Sequence, residues 1–243
     1  MEKEVLETAL VKSMKKIRGI KAVSFDADQT LWDFQKVMRH SLGYVLKILE
    51  DENPTIALKL SIDKMIAIRN RVAEELKGKT ANLEEVRLEA FKATLTEIGH
   101  TDDTLAARLN RVYLQHRFDD VELFADVLPT LTRLREKYKL GLLSNGNSYP
   151  ARCGLDDMFG FVVFSQDIGV EKPSSRFYRM AVEKACCQKD ELLHIGDSLE
   201  NDVIGAGNYG ITSVWLNREQ EIPETDIEIE YEISSLSELL KIL

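Results

Sequence analysis

From Asp126 onward, short apolar runs alternate with stretches of helical period, and that alternation leaves few folds open. The runs are Leu140-Gly-Leu-Leu143, Phe161-Val-Val-Phe164, Leu192-Leu-His-Ile195 and Ile211-Thr-Ser-Val-Trp215. Helical patterns cover 127–138, 174–186 and 200–208, with a short helix before 161. Strands this short and apolar must be covered on both faces, which calls for parallel strands joined by helices. An earlier run, Ile20-Lys-Ala-Val-Ser-Phe25, has the same character. A weak strand near 227–231 and a closing helix over 235–242 follow the last run. At the other end, Val5, Leu6, Ala9, Leu10, Met14 and Ile17 predict an amphipathic helix over 2–17.

Between about Phe34 and Arg117 the β-branched runs vanish and charged-face helical periodicity takes over. Four helices are expected, near 34–51, 54–77, 82–98 and 102–117. Pro54 suits a first helical turn, Asn53 and Asn82 suit N-caps, and Gly78 and Gly99 stand where helices stop. The expected fold class is α/β, a Rossmann-like doubly wound parallel sheet with an inserted all-α unit. Residues 1–33 and 118–243 would form the core domain, and 34–117 the insertion.

A chain of 243 residues suits one core with a sizeable insertion. Its net charge of −9, from 41 acidic and 32 basic residues, disfavours nucleic acid polymers as partners. A small phosphorylated substrate stays admissible, because a local cluster of cations can invert the sign inside a cleft. Cys153, Cys186 and Cys187 fit no bridge or zinc spacing and are expected to be reduced thiols. The first twenty residues mix Glu and Lys without an apolar signal-peptide core, and no apolar run approaches the ~20 residues of a membrane span. A cytoplasmic location without membrane attachment is therefore expected.

In open parallel sheets the site lies at the carboxyl ends of the strands. The first strand ends in Asp26-x-Asp28-x-Thr30, two carboxylates that can divide the work of nucleophile and general acid/base. The second ends in Ser144-Asn145-Gly146-Asn147, whose hydroxyl and backbone N–H groups suit phosphoryl oxygens. After the third comes Lys172-Pro173 at a helix start. The fourth ends in Gly196-Asp197-Ser198-Leu-Glu-Asn201-Asp202, which adds two carboxylates to an already acidic strand end. Such crowding is costly without a cation, and an all-oxygen set favours a hard metal. Each motif alone also reads as an ordinary capped turn. Four of them at four successive strand ends do not.

In that order the motifs are similar to those of the haloacid dehalogenase superfamily, over about residues 20–218, and the helical insertion resembles its C1 cap. The resemblance implies a phosphatase. Asp26 would be the nucleophile, and Asp28 would protonate the leaving oxygen and then activate water. Ser144, Asn145 and Lys172 would hold the phosphoryl oxygens. Mg2+ would be bound by Asp26, the main-chain carbonyl of Asp28 and Asp197, with Asp202 contacting the metal-bound water or orienting Lys172. Gln29 stands where Gly is commonest in the superfamily, so a positive φ there would carry strain.

The expected partner is a small phosphorylated metabolite: a sugar phosphate, a triose phosphate or a nucleotide. Trp32 and Phe34 either pack on the substrate or at the hinge of the insertion. Arg39, His40, Arg69, Arg71, His116 and Arg117 are cations of the insertion, most of them expected on solvated helix faces. A phosphomutase and a noncatalytic protein on the same fold are the alternatives.

Overall fold

The computed structural model describes residues 15–80, 82–223 and 229–243. Most of the helix expected over 2–17 lies outside them. Six strands form one parallel sheet: β1 (Ala22–Phe25), β2 (Lys139–Ser144), β3 (Phe161–Phe164), β4 (Leu192–Gly196), β5 (Thr212–Leu216) and β6 (Glu232–Ile233). Their order is β3-β2-β1-β4-β5-β6, so the chain winds outward in both directions from β1. All four residues of β1 are buried, as a strand covered on both faces requires.

Register matters more than order here. Phe25 pairs with Leu142 on one side and Ile195 on the other. The residues that follow these three positions therefore emerge at one level along the sheet's edge.

Helices α1 (Phe34–Glu52), α2 (Pro54–Ala57), α3 (Ile62–Leu76), α4 (Leu83–Glu97) and α5 (Asp103–Asp119) form the insertion after β1. They enclose their own apolar centre, with Met38, Leu42, Leu95, Leu109 and Tyr113 at its heart. Phe34 and Leu114 pack against both this centre and the sheet's core, one near each end of the insertion. The helix expected over 54–77 is interrupted at residues 58–61. Ser61 adopts an extended conformation and its hydroxyl accepts the Lys64 N–H, so a fresh N-cap outcompetes helix continuation.

On the core, α6 (Val127–Leu134), α7 (Ser165–Ile168), α8 (Ser175–Ala185), α9 (Gly205–Tyr209) and α10 (Leu239–Ile242) complete the layers. The helix expected over 200–208 instead opens with a wide π turn, Leu199–Ile204, before α9. The weak strand expected near 227–231 is replaced, within the described residues, by the two-residue β6. Among the described residues no helix is long and apolar enough to cross a membrane.

Candidate active site

Asp26 leaves β1 directly, and its backbone N–H donates to the Ile195 carbonyl, tying it to the neighbouring strand. Only 8% of the residue is exposed. Lys172, from the segment before α8, is equally buried, and its Nζ lies 2.5 Å from Asp26 Oδ1 and 2.6 Å from Asp202 Oδ1. The third ammonium proton goes to the Leu143 carbonyl at 3.1 Å. These three contacts hold the ammonium at the cluster.

Asp202 sits on the π turn. Its Oδ1 also lies 3.0 Å from His194 Nε2, while Oδ2 accepts the Ser198 N–H at 3.1 Å. From this wide turn the carboxylate reaches back to the strand end. Gly196 makes the approach possible. A Cβ there would fall 2.2 Å from the Asp202 carboxyl carbon, so close packing, and not a sharp turn, is what requires the glycine.

Asp197 is held by Thr30 Oγ1, 3.3 Å from its Oδ1, and by the Trp215 indole N–H, which donates to its carbonyl at 2.8 Å. One carboxylate oxygen from each of Asp26, Asp197 and Asp202 lies within 4.8 Å of the others, a set that could hold a metal ion. The titration of this group follows from its charges. Burial and the neighbouring carboxylates raise Asp26 well above the ordinary carboxyl value, against the pull of Lys172. Burial and Asp202 lift Asp197 to about 6. Burial opposes ionisation of Asp202 too, but Lys172 and His194 prevail and take it down to about 2. With all three acids ionised, one ammonium would leave the negative charge unbalanced, and oxygen donors suit a hard divalent cation to neutralise it. The residues fit the metal.

Asp28 faces elsewhere. Its Oδ1 accepts from the Trp32 indole N–H at 2.8 Å and from Arg117 at 3.2 Å. The side chain lines an open cleft with Phe34, Arg69, Arg87, Asn145 and Gly146. A Cβ on Gly146 would crowd Asp28 Oδ2 and Ser144 Oγ, each 3.1 Å away. Gln29 has φ +63°, so the strain anticipated at this position is present.

Ser144 is buried and its Oγ accepts the Gly146 N–H at 2.9 Å. Asn145 has a further job: its side-chain amide brackets the main chain of Lys172, donating to the carbonyl at 3.0 Å and accepting the N–H at 2.8 Å.

The structure therefore brings Asp26, Ser144, Lys172, Asp197 and Asp202 to one strand-end cluster, with Asp28 and Asn145 beside it. Trp32 is a fully buried hinge residue that orients Asp28. Arg117, one of the cations of the insertion, is 1% exposed and bonds both Asp28 and Ser148. Sequence reasoning missed His194 and Arg87. A polar residue inside an otherwise apolar buried strand was the available signal for His194, which pairs in register with Ser24, the other such residue.

Residues 20–210 match the haloacid dehalogenase-like hydrolases, and the chain belongs to that family. It is a hydrolase, in agreement with the class expected from its motifs. Among curated relatives, the 5-amino-6-(5-phospho-D-ribitylamino)uracil phosphatase YigB of Escherichia coli (strain K12) is 28% identical over 82% of this chain and 84% of its own length. The glyceraldehyde 3-phosphate phosphatase of Methanopyrus kandleri is 27% identical, over 92% and 97% respectively. Among solved structures, a 2-haloacid dehalogenase from Pseudomonas syringae pv. Tomato DC3000 superposes with a TM-score of 0.78 at 28% identity, over 92% of this chain and 97% of that one.

Proposed function

We propose that this chain is a Mg2+-dependent phosphatase of small phosphorylated metabolites that works through an aspartyl-phosphate on Asp26. The observation that carries the reading is the buried Lys172 ammonium bridging Asp26 and Asp202, with Asp197 alongside. An anionic carboxylate attacks an anionic phosphate only where positive charge is concentrated. Asp26, Asp197 and the main-chain carbonyl of Asp28 would hold Mg2+, which supplies that charge and keeps Asp26 ionised. Asp202, whose oxygens are taken by Lys172, His194 and Ser198, serves to position Lys172.

In the first half-reaction Asp26 displaces the alcohol in line, and Asp28 gives it a proton. Two N–H donors on Asp28 Oδ1 place that proton on Oδ2. In the second half-reaction Asp28, now ionised, takes a proton from the attacking water. Ser144, Lys172 and the Asn145 main chain would bind the non-bridging oxygens. The relatives named above act on small esters, which supports a sugar phosphate, triose phosphate or nucleotide as substrate.

The test is phosphate release from p-nitrophenyl phosphate and a panel of metabolites. Turnover is expected with millimolar Mg2+ and is expected to vanish on chelation. Activity indifferent to chelation would sink the reading, and isomerisation of a sugar phosphate without phosphate release would replace it with a mutase.

Cation binding has a second readout in thermal unfolding. In the metal-free protein the raised Asp197 contributes stability that is present below the ordinary carboxylate value and lost as pH rises through about 6. Mg2+ at one hundred times its dissociation constant adds about 2.7 kcal/mol. At about 2–4 °C per kcal/mol for a chain of this size, Tm rises by roughly 5–10 °C at pH 7.5. The gain should shrink at pH 5, where protons replace the cation. Equal shifts at both pH values would count against these carboxylates as ligands.

A further inference from the structure

Three arginines of the insertion gather around Phe34. Arg117 lies 4.5 Å from its ring and Arg69 6.0 Å, while Arg87 of α4 lines the same cleft. Arg117 lies 3.2 Å from a carboxyl oxygen, Asp28 Oδ1. Among the described residues Arg87 contacts no carboxylate, although only 8% of it is exposed. One of its terminal nitrogens donates to Asn147 Oδ1 at 2.9 Å. The other is fully buried and has no hydrogen-bond partner among the described residues. Arg69 bonds the Asn70 side chain, and among the described residues neither arginine pairs with a carboxylate.

A desolvated guanidinium without a counter-ion is costly, and a fold keeps one only where something offsets it. Burial pulls Arg87 below the usual arginine pKa and Arg117 and Arg69 add repulsion, which Tyr113 and Asp28 offset only in part. A small, partly open pocket of about 20 Å³ beside Arg69, Arg87, Thr94 and Tyr113 has room for one water. A water satisfies an N–H but leaves the charge unbalanced.

The missing charge has a natural source. Arg69 and Arg87 share with Asp28, Asn145 and Gly146 a cleft of about 240 Å³ that opens beside the phosphoryl site. The phosphoryl group itself is met by Lys172 and Ser144, so these arginines face the rest of the substrate. Their planar forks match carboxylate and phosphate oxygens.

We infer that Arg87, assisted by Arg69, recognises a second anionic group, carboxylate or phosphate, on the same phosphate monoester. The inference rests on the phosphatase reading. Arg87 is anchored to Asn147, three residues beyond Ser144 on the loop that follows β2.

Matched substrates test this. The ratio of kcat/KM is measured for 3-phosphoglycerate against glycerol 3-phosphate, and for fructose 1,6-bisphosphate against fructose 6-phosphate. A charge-assisted contact gives the doubly anionic member an advantage of about 10- to 100-fold in at least one pair. The first pair reports a carboxylate, the second a phosphate. Arg87→Gln should collapse the favoured ratio to within about threefold, chiefly through KM, and Arg87→Lys should leave an intermediate value, since charge without the fork is retained. The wild-type ratios need no variant to fold. Phosphate release without preference in either pair overturns this inference alone, as does a preference that survives Arg87→Gln. No release from any ester, p-nitrophenyl phosphate included, overturns the phosphatase reading with it.

Discussion

Asp26→Asn is expected to reduce phosphate release by about 10⁴- to 10⁶-fold, the scale seen when a covalent nucleophile is removed. The amide is isosteric with the acid but cannot attack phosphorus. Its fold should survive, because burial already drives Asp26 toward its neutral form and an amide resembles that form. The variant therefore separates chemistry from folding. The intermediate gives a second readout. Wild-type protein quenched in acid during turnover of a labelled ester should retain one phosphate, stable to acid and released by hydroxylamine, as an acyl phosphate is. Asp26→Asn should retain none. Label found on the variant, or activity above about one per cent of wild type, would show that the nucleophile is another group.

The strand ends were readable in sequence because chemistry demands particular side chains where the backbone stops pairing. Asp26 and Asp197 directly follow strands and Ser144 ends one, so register brings these three to one level, whereas Lys172 comes after α7 and is held there by the Asn145 side chain. Features set by distant contacts were not readable. Arg87 looks like any helix-face arginine until the packing of α4 on the 144–148 loop buries it. His194 acquires its meaning only when the π turn returns Asp202 to it. The interruption after α2 escaped notice because apolar spacing continues through it, while the decisive interaction is one hydroxyl at Ser61. Periodicity reports which face is buried. It does not report where a side chain competes for the backbone.

Lys172→Met should cost both activity and stability, and the two losses should come apart. The ammonium lies within 2.6 Å of two buried carboxylates, and removing it strands both. Breaking a buried pair in this way costs about 3–5 kcal/mol. For a chain of this length that lowers Tm by roughly 6–20 °C at about 2–4 °C per kcal/mol. Loss of a preorganised charge clamp on the phosphoryl group costs about 10²- to 10³-fold in kcat, and misplacement of the nucleophile adds to it. The sign of the pH dependence is determined by Asp202, whose depressed value of about 2 gives wild type a stability present above the ordinary carboxylate value and lost as pH falls toward 2. Without Lys172 that depression disappears and the stranded acids take up protons, so the deficit in Tm should narrow between pH 7.5 and pH 4. Adding Asp202→Asn to Lys172→Met removes one stranded charge. It should restore part of the Tm and none of the activity, a non-additivity expected only of residues in direct contact. A Lys172→Met protein that melts within about 2 °C of wild type would mean that this lysine is not the counter-charge around which the site is built.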